Sequence, residues 1–418
     1  MRARVLSFLL VVLLSTPAPL AAQVPQPLTL RDAVRMALER SPQVRAARSL
    51  VQAAEAQVAA AKAALAPSAN LQASSAISGT ATTYQVAAGV AYLLYDGGLR
   101  QAQVRQLEAQ ARAARAQLAA VEAQVALSAV QAFLNVVLSQ QLIALRQQVV
   151  EQVRLQVEGA RARVRAGTAP QADVIAAEAQ LAAAEFQLLQ AQADFDTHRE
   201  ALRAVLGLET AAPLAVAVPG PPPVFDVSEE EAVQRALQRP EVRRAEADVA
   251  AAEAALTVAM LQGGVAVTLD GRYVLLGTGA TPSGTWSVGA SLSVPLADGG
   301  QRQARVEAAR ASLEAARASL EQARSEVRRD AVQARLAYLS AAAREQAARR
   351  AAEAAQEALR VAQGRYQAGV GSILEVASAQ TQFASAQEGL LQAQAARWMS
   401  LAALRRSVGL PVLAEGGR

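Results

Sequence analysis

The side chains that usually run catalysis are nearly missing from this sequence. It has no cysteine and a single histidine, His198. Zinc sites of the usual kind and Cys/His nucleophile pairs are therefore excluded. A Ser-His-Asp triad would have to use His198. That residue stands among Asp194, Asp196, Arg199 and Glu200 in a helical pattern, which predicts a solvated helix face. No phosphate loop, metal cluster or paired acids in a cleft-like setting are present. The sequence thus predicts no enzyme, no cofactor and no metal. The basic excess is small, 41 Lys and Arg against 36 Asp and Glu. It is spread along helices opposite glutamates, and Lys62 is the sole lysine. That pattern argues against a nucleic-acid partner.

The 418 residues are 52% apolar but only 3% aromatic. Long stretches hold little besides Ala, Gln, Arg and Glu. Alanine fills a core poorly yet lets helices approach closely, so composition favours long helices in coiled-coil contact over compact domains. Arg2 and Arg4, the apolar run from Val5 to Leu14 and a small-residue site predict a signal peptide over 1–22, cleaved after Ala22. Its removal lowers the formal charge from +5 to +3. No later stretch reads as a transmembrane helix, so entry into a membrane would have to use strands.

The chain is a twofold repeat, 23–218 and 225–412, joined by a stiff Pro-rich linker over 219–224 and followed by a tail over 413–418. Ala33-Val34 and Ala37-Leu38 recur as Ala232-Val233 and Ala236-Leu237. From Asp96 to Asp298, Gly167 to Gly369 and Gly207 to Gly409 the offset is 202. Each half opens with a short helix capped by Thr29 and Asp32, or by Ser228 and Glu231, in a capping-box pattern. Pro42 and Pro240 then start a second helix. A β-hairpin follows, over about 68–95 or 264–297. An Asp-Gly-Gly turn opens a very long helix, an Ala-Gly turn closes it, and a shorter helix returns. These helical hairpins cover about 97–207 and 299–408. Val306, Leu313, Leu320 and Val327, with Ala309, Ala316 and Ala323 between them, repeat as coiled-coil heptads. Val104, Ala111, Leu118 and Val125, with Leu107, Ala114 and Val121, do the same in the first half.

The strands alternate cleanly. Tyr84, Val86, Ala88, Val90, Tyr92 and Leu94 interleave with small or polar residues, as do Trp286, Val288, Ala290, Leu292, Val294 and Leu296. Each strand is long enough to cross a bilayer at a tilt. Tyr84, Tyr92, Tyr95, Tyr273 and Trp286 fall in these segments, as aromatics of an interface girdle would. Four strands cannot close a barrel, and lipid tolerates no open edge. The barrel must be shared: two chains would fill its interior with side chains, and three would leave a lumen.

Several stretches resemble the TolC-type outer membrane efflux protein family: LTLRDAVRMALERSPQVRAARSLVQAAEAQVAAAKAALAPS near the start, YLLYDGGLRQAQV and VPLADGGQRQARV after the hairpins, and RVRAGTAPQADVIAAEAQL and RYQAGVGSILEVASAQTQF at the helical turns. The resemblance covers nearly the whole mature chain. It implies a homotrimer with a twelve-stranded outer membrane β-barrel continued by a periplasmic α-barrel. It also implies a passive exit duct of tripartite efflux pumps or type I secretion systems, partnered by a periplasmic adaptor, an inner-membrane pump and outer membrane lipid. The competing reading is a periplasmic adaptor or a structural coiled-coil protein of the envelope; an adaptor would carry one hairpin, and here the pattern is doubled.

The resemblance also assigns residues. Ala166-Gly167-Thr168 and Ala368-Gly369-Val370 would form periplasmic tips that dock the adaptor. Tyr366 matches a tyrosine that helps to hold the tip closed. Asp173 matches the acidic partner of a latch arginine, but Gly371 stands where that arginine would fall. Glu375 matches the first of two acidic positions ringing the entrance; the second is Ser378.

Overall fold

The computed structural model describes residues 27–78, 81–208, 214–278 and 282–413. The predicted signal peptide and the tail from 414 onward lie outside them. Elements follow the doubled order read from the sequence. The first repeat runs α1 (Leu30–Arg40), α2 (Pro42–Ala63), β1 (Ser68–Ser78), β2 (Ala81–Tyr95), α3 (Leu99–Arg165) and α4 (Gln171–Leu206). The second runs α5 (Glu229–Ala236), α6 (Pro240–Leu261), β3 (Ala266–Thr278), β4 (Pro282–Ser293), α7 (Gln301–Gln367) and α8 (Ile373–Ser407). Both long helices have 67 residues, roughly 100 Å at 1.5 Å per residue.

Capping explains where helices start. Ser228 accepts a hydrogen bond from the Glu231 backbone N–H at 3.1 Å. Thr29 accepts from the Asp32 N–H at 3.2 Å. Its hydroxyl also lies 2.6 Å from the Asp32 carboxylate, so the acid closes onto the hydroxyl.

Each long helix changes partners halfway. In the half nearer the sheet, α3 lies between α2 and α6, and α7 packs on α6. In the far half, α3 lies between α4 and α8, and α7 packs on α8. Each repeat unit has its own core where its short first helix crosses the long one. The first joins Ala33 and Ala37 of α1 to Val130 and Phe133 of α3 and Leu202 and Leu206 of α4. The second joins Ala232 and Ala236 of α5 to Val327 and Tyr338 of α7 and Leu404 of α8. Alanine on the short helices lets them approach the long ones closely. The linker is tied down by Trp398, whose Nε1 donates to the Gly220 carbonyl at 2.9 Å.

Two readings from the sequence are corrected here. Within α3 lies an 18-residue window apolar enough to span a membrane, with 56% of it buried in the chain. It coincides with no break in the helix; its residues supply the first core, where Val130 and Phe133 are fully buried. His198 is not on a solvated face. It is half-buried, with Nδ1 2.6 Å from the hydroxyl of buried Ser139. That hydroxyl also reaches the Asn135 carbonyl at 2.7 Å, and the contact joins α3 to α4.

Candidate functional site

The sheet is one antiparallel layer in the order β1-β2-β3-β4. Its register separates two faces. One carries Leu71, Ala88, Tyr273 and Trp286 in a row, with Ala69, Val90, Gly271 and Val288 in the next on that face. The other carries Asn70, Gly89, Arg272 and Ser287. Leu71, Trp286, Val288 and Leu292 are each at least two-thirds exposed, so the apolar face has no cover among the described residues. A surface that large and apolar needs a partner or a lipid phase.

Aromatics on this face lie across glycines. A Cβ on Gly277 would fall 2.0 Å from the Tyr84 ring, and one on Gly284 would fall 2.3 Å from the Tyr273 hydroxyl. Each ring covers strand backbone that a glycine leaves bare, a cross-strand contact that helps to fix register. Tyr84 stands near the β1–β2 turn, and Tyr92 and Tyr95 stand at the helical end. Tyr273 and Trp286 oppose each other nearer the strand middles, not at strand ends as the sequence suggested. A register shift between Leu93 and Tyr95 puts Tyr95 opposite Val267. The bulge breaks the simple alternation, and Leu94 is not paired there. β4 ends at Ser293, so Val294 and Leu296 lie beyond it.

The sheet joins the long helices through the Asp-Gly-Gly turns. Gly97 and Gly98 have φ of +66° and +86°, a conformation side chains disfavour. Asp96 accepts from the Gly98 N–H at 3.0 Å, the Arg100 N–H at 3.1 Å and Arg100 Nε at 2.7 Å. Arg100 also donates to the carbonyls of Ala64, at 3.1 Å, and Leu93. One guanidinium therefore stitches the end of α2, the end of β2 and the start of α3. The second repeat builds the same turn. Asp298 accepts from the N–H groups of Gly300 at 3.0 Å and Arg302 at 2.9 Å, and Arg302 donates to the Met260 carbonyl at 2.5 Å. The arginines were overlooked in the sequence, although they obey the same 202-residue offset.

Burial pushes the Asp96 carboxyl up, but the Arg100 guanidinium and the backbone N–H donors outweigh it and hold it below 3.8. A depressed folded-state value means that the charged form stabilises the fold above 3.8 and that this stability is lost as pH falls through the lowered value. Asp96→Asn is expected to lower the melting temperature at pH 7, and the difference from wild type should shrink progressively as the pH is taken below 3.8. Thermal melts in detergent across that range measure it; a difference that persists unchanged in acid would assign the effect to packing.

The opposite ends of the long helices carry the two Ala-Gly turns. Gly167 and Gly369 have φ of +72° and +75°. The Gly167 N–H donates to Val164 O at 3.0 Å, and the Thr168 N–H to Arg163 O at 3.0 Å. Gly369 and Val370 donate likewise to Tyr366 O at 3.1 Å and Arg365 O at 3.0 Å. These are Schellman closures that satisfy the last carbonyls of α3 and α7. Ala166, Thr168, Ala368 and Val370 are exposed, and a Cβ on either glycine would meet nothing within 4 Å.

Just inside the turns the two repeats meet. The Arg163 guanidinium stacks over the Tyr366 ring, 4.0 Å from its centroid. Tyr366 packs against Val157, Ala160, Val174, Ala177 and Ile373, and its hydroxyl is buried without a hydrogen-bond partner among the described residues. Gly371, where a latch arginine was expected, lies tight against the end of α7: a Cβ there would be 3.1 Å from Tyr366 N and Arg365 Cβ. Ser372 caps α8, its Oγ accepting from the Glu375 backbone N–H at 3.2 Å, so Glu375 sits in the first turn. Its carboxylate is 4.0 Å from Arg365, an exposed pair of small energetic weight. Asp173, half-buried at the start of α4, makes no side-chain ion pair among the described residues. Deeper in, Gln156 donates to buried Gln380 at 2.8 Å and Arg146 pairs with Glu388 at 2.5 Å. Arg163 was not singled out from sequence. Its repeat mate is Arg365, so the two halves use one position differently.

A sheet with one uncovered apolar face, continued by helices about 100 Å long and duplicated within the chain, is the architecture of a membrane channel subunit with a long helical extension. A family profile described as outer membrane efflux protein matches residues 33–208 and 232–410, one match per repeat. The chain therefore belongs to the outer membrane efflux protein family, and it is an outer membrane exit duct for efflux with a periplasmic helical extension.

Solved structures agree. A membrane protein from Pseudomonas aeruginosa superposes with a TM-score of 0.81 at 24% identity, covering 91% of this chain and 93% of its own. The outer-membrane channel OprN gives 0.78 at 25% identity, with 91% and 89% covered. The open state of the Neisseria gonorrhoeae outer membrane channel MtrE gives 0.79 at 22% identity, with 92% and 89% covered. No curated protein matches the chain by sequence.

Proposed function

We propose that three copies of the chain close into a twelve-stranded barrel continued by a helical barrel, and that this duct serves an inner-membrane pump through a periplasmic adaptor. One observation supports it above others. The sheet has two free edges, β1 and β4, and the far helical row α4-α3-α8-α7 has two as well. Large apolar side chains stand exposed on both outer helices: Ile175, Phe186 and Leu189 on α4, and Leu336, Leu339 and Val361 on α7. Free edges of two kinds on one protomer fit a head-to-tail contact that a rotation closes into a ring. Three copies leave a lumen that two would fill.

In this reading the apolar sheet face meets lipid, with Tyr84, Tyr92 and Tyr95 at its borders. The tip turns at Gly167 and Gly369 meet the adaptor, and Glu375 lines the entrance with Asp173 set back toward its neighbouring helix. Tyr366, Arg163 and the Gln156–Gln380 contact hold the two hairpins together behind the tip. The open space around both glycines fits close approach of another helix.

Gly369→Trp is expected to abolish export of a fluorescent efflux substrate in cells while trimer and membrane insertion persist. Gly369→Asn, which tolerates positive φ, should keep most of it. Unchanged export in the tryptophan variant would remove this turn from the docking surface.

A further inference from the structure

Asp270 and Arg272 are the only charged residues in the four described strands. They are two apart on β3, hence on one face and about 7 Å apart. That face is the polar one: Asp270 is opposite Ala91 and Gly289, and Arg272 is opposite Gly89 and Ser287. Both side chains are exposed, and neither makes an ion pair or hydrogen bond among the described residues.

Their neighbours leave them room. A Cβ on Gly289 would sit 3.4 Å from Asp270 Oδ2, so the carboxylate extends over that glycine. A Cβ on Gly89 would fall 2.7 Å from Asn70 Oδ1. Gly289 thus leaves space for the Asp270 carboxylate, and at Gly89, opposite Arg272, the only side chain over the glycine is the polar Asn70 amide. Arg272 is the midpoint of β3, which spans Ala266–Thr278. On a lipid-facing surface an arginine at that depth would cost about 2–4 kcal/mol. The alternation and this cost point the same way, toward the lumen.

We infer that Asp270 and Arg272, repeated around the barrel, form a mid-height girdle of alternating charges that sets the local selectivity of the lumen for the charge of the passing solute. The inference rests on the trimer proposed above. Three carboxylates and three guanidiniums cancel at a distance. Within a Debye length of about 8 Å they do not, so a solute carrying both an ammonium and a carboxylate can engage both at once. Removing one partner unmasks the other: without Asp270 the girdle favours anions, and without Arg272 it favours cations.

The chain has no cysteine, so one introduced thiol is a unique local probe that does not depend on whether the periplasmic tip is open. In the full-length protein in intact outer membranes, Ser287→Cys would be labelled from outside with membrane-impermeant thiosulfonates, one cationic and one anionic. Labelling by both reagents is expected, and none at Val288→Cys, whose side chain lies on the opposite face. Adding Asp270→Asn should raise the anionic-to-cationic rate ratio about threefold or more, since local potentials reach a few kT. Adding Arg272→Gln should lower it by a similar factor, and the variant carrying both changes should return to the starting ratio. Native mass spectrometry of each variant separates the two readings. A non-trimeric wild type sinks both. A trimer in which Val288→Cys is labelled in place of Ser287→Cys, or in which the ratio does not move in opposite directions, overturns the girdle alone.

Discussion

Phe186→Glu should leave the protein folded but unable to assemble. Phe186 is 68% exposed on α4, flanked on the same face by Ile175 at 62% and Leu189 at 65%. Residues 11 and 3 positions from it return to nearly the same side of a helix with 3.6 residues per turn, so the three form one apolar stripe. No described residue of the protomer covers it, and a glutamate there costs the fold little. Between protomers the same glutamate would be buried unpaired against apolar side chains, a burial that is strongly unfavourable, and once per interface. Native mass spectrometry in detergent is expected to lose the trimer completely, while far-ultraviolet circular dichroism keeps its helical signal. Efflux in cells should fall to the level of a deletion strain, and Phe186→Leu should be close to wild type. A trimer of normal stability carrying Phe186→Glu would show that α4 faces solvent or the duct interior, and the ring would have to close through another surface.

The second large effect is expected in the core of the first repeat. Phe133 is fully buried and is held by α1, α3 and α4 together with Ala402 and Val412 from the other half of the chain. Phe133→Ala leaves a cavity that three helices cannot all collapse into, and should cost about 3–5 kcal/mol. The corresponding position of the second repeat is Arg335, whose Nε donates to the Val227 carbonyl at 3.0 Å. There a hydrogen bond, and a second from the Phe225 N–H to the Tyr338 hydroxyl at 3.1 Å, do the fastening. Chemical denaturation of the detergent-solubilised protein would show the Phe133→Ala loss as a lower midpoint. A change under 1 kcal/mol would mean that α1 is not anchored through this ring.

Much of this architecture was legible in the sequence because it is periodic. Heptads at Val104, Ala111, Leu118 and Val125 demand a helix with one apolar seam. Alternation from Tyr84 onward demands strands with two unlike faces, and glycines at turns mark where the backbone must take positive φ. Duplication at a fixed offset then required both halves to fold alike. Those signals depend on neighbours within a few residues, so they survive without knowledge of the fold.

What the sequence could not contain is how distant segments meet. His198 read as solvated because its sequence neighbours are charged, yet tertiary packing sets its ring against Ser139 on α3. Arg163 and Arg365 occupy one repeat position, but only the packing of the two hairpins decides that the first stacks on Tyr366 while the second faces Glu375. Arg100 passed unnoticed in the sequence because nothing local shows that three chain segments converge on its guanidinium. The bulge at Leu93–Tyr95 follows from pairing with Thr268 and Val267 of β3, far away in sequence. Local patterning fixes which elements form and which face each must bury. Which charged or aromatic group occupies a given contact depends on long-range approach, and that is decided only when the helices and strands of the two repeats pack together.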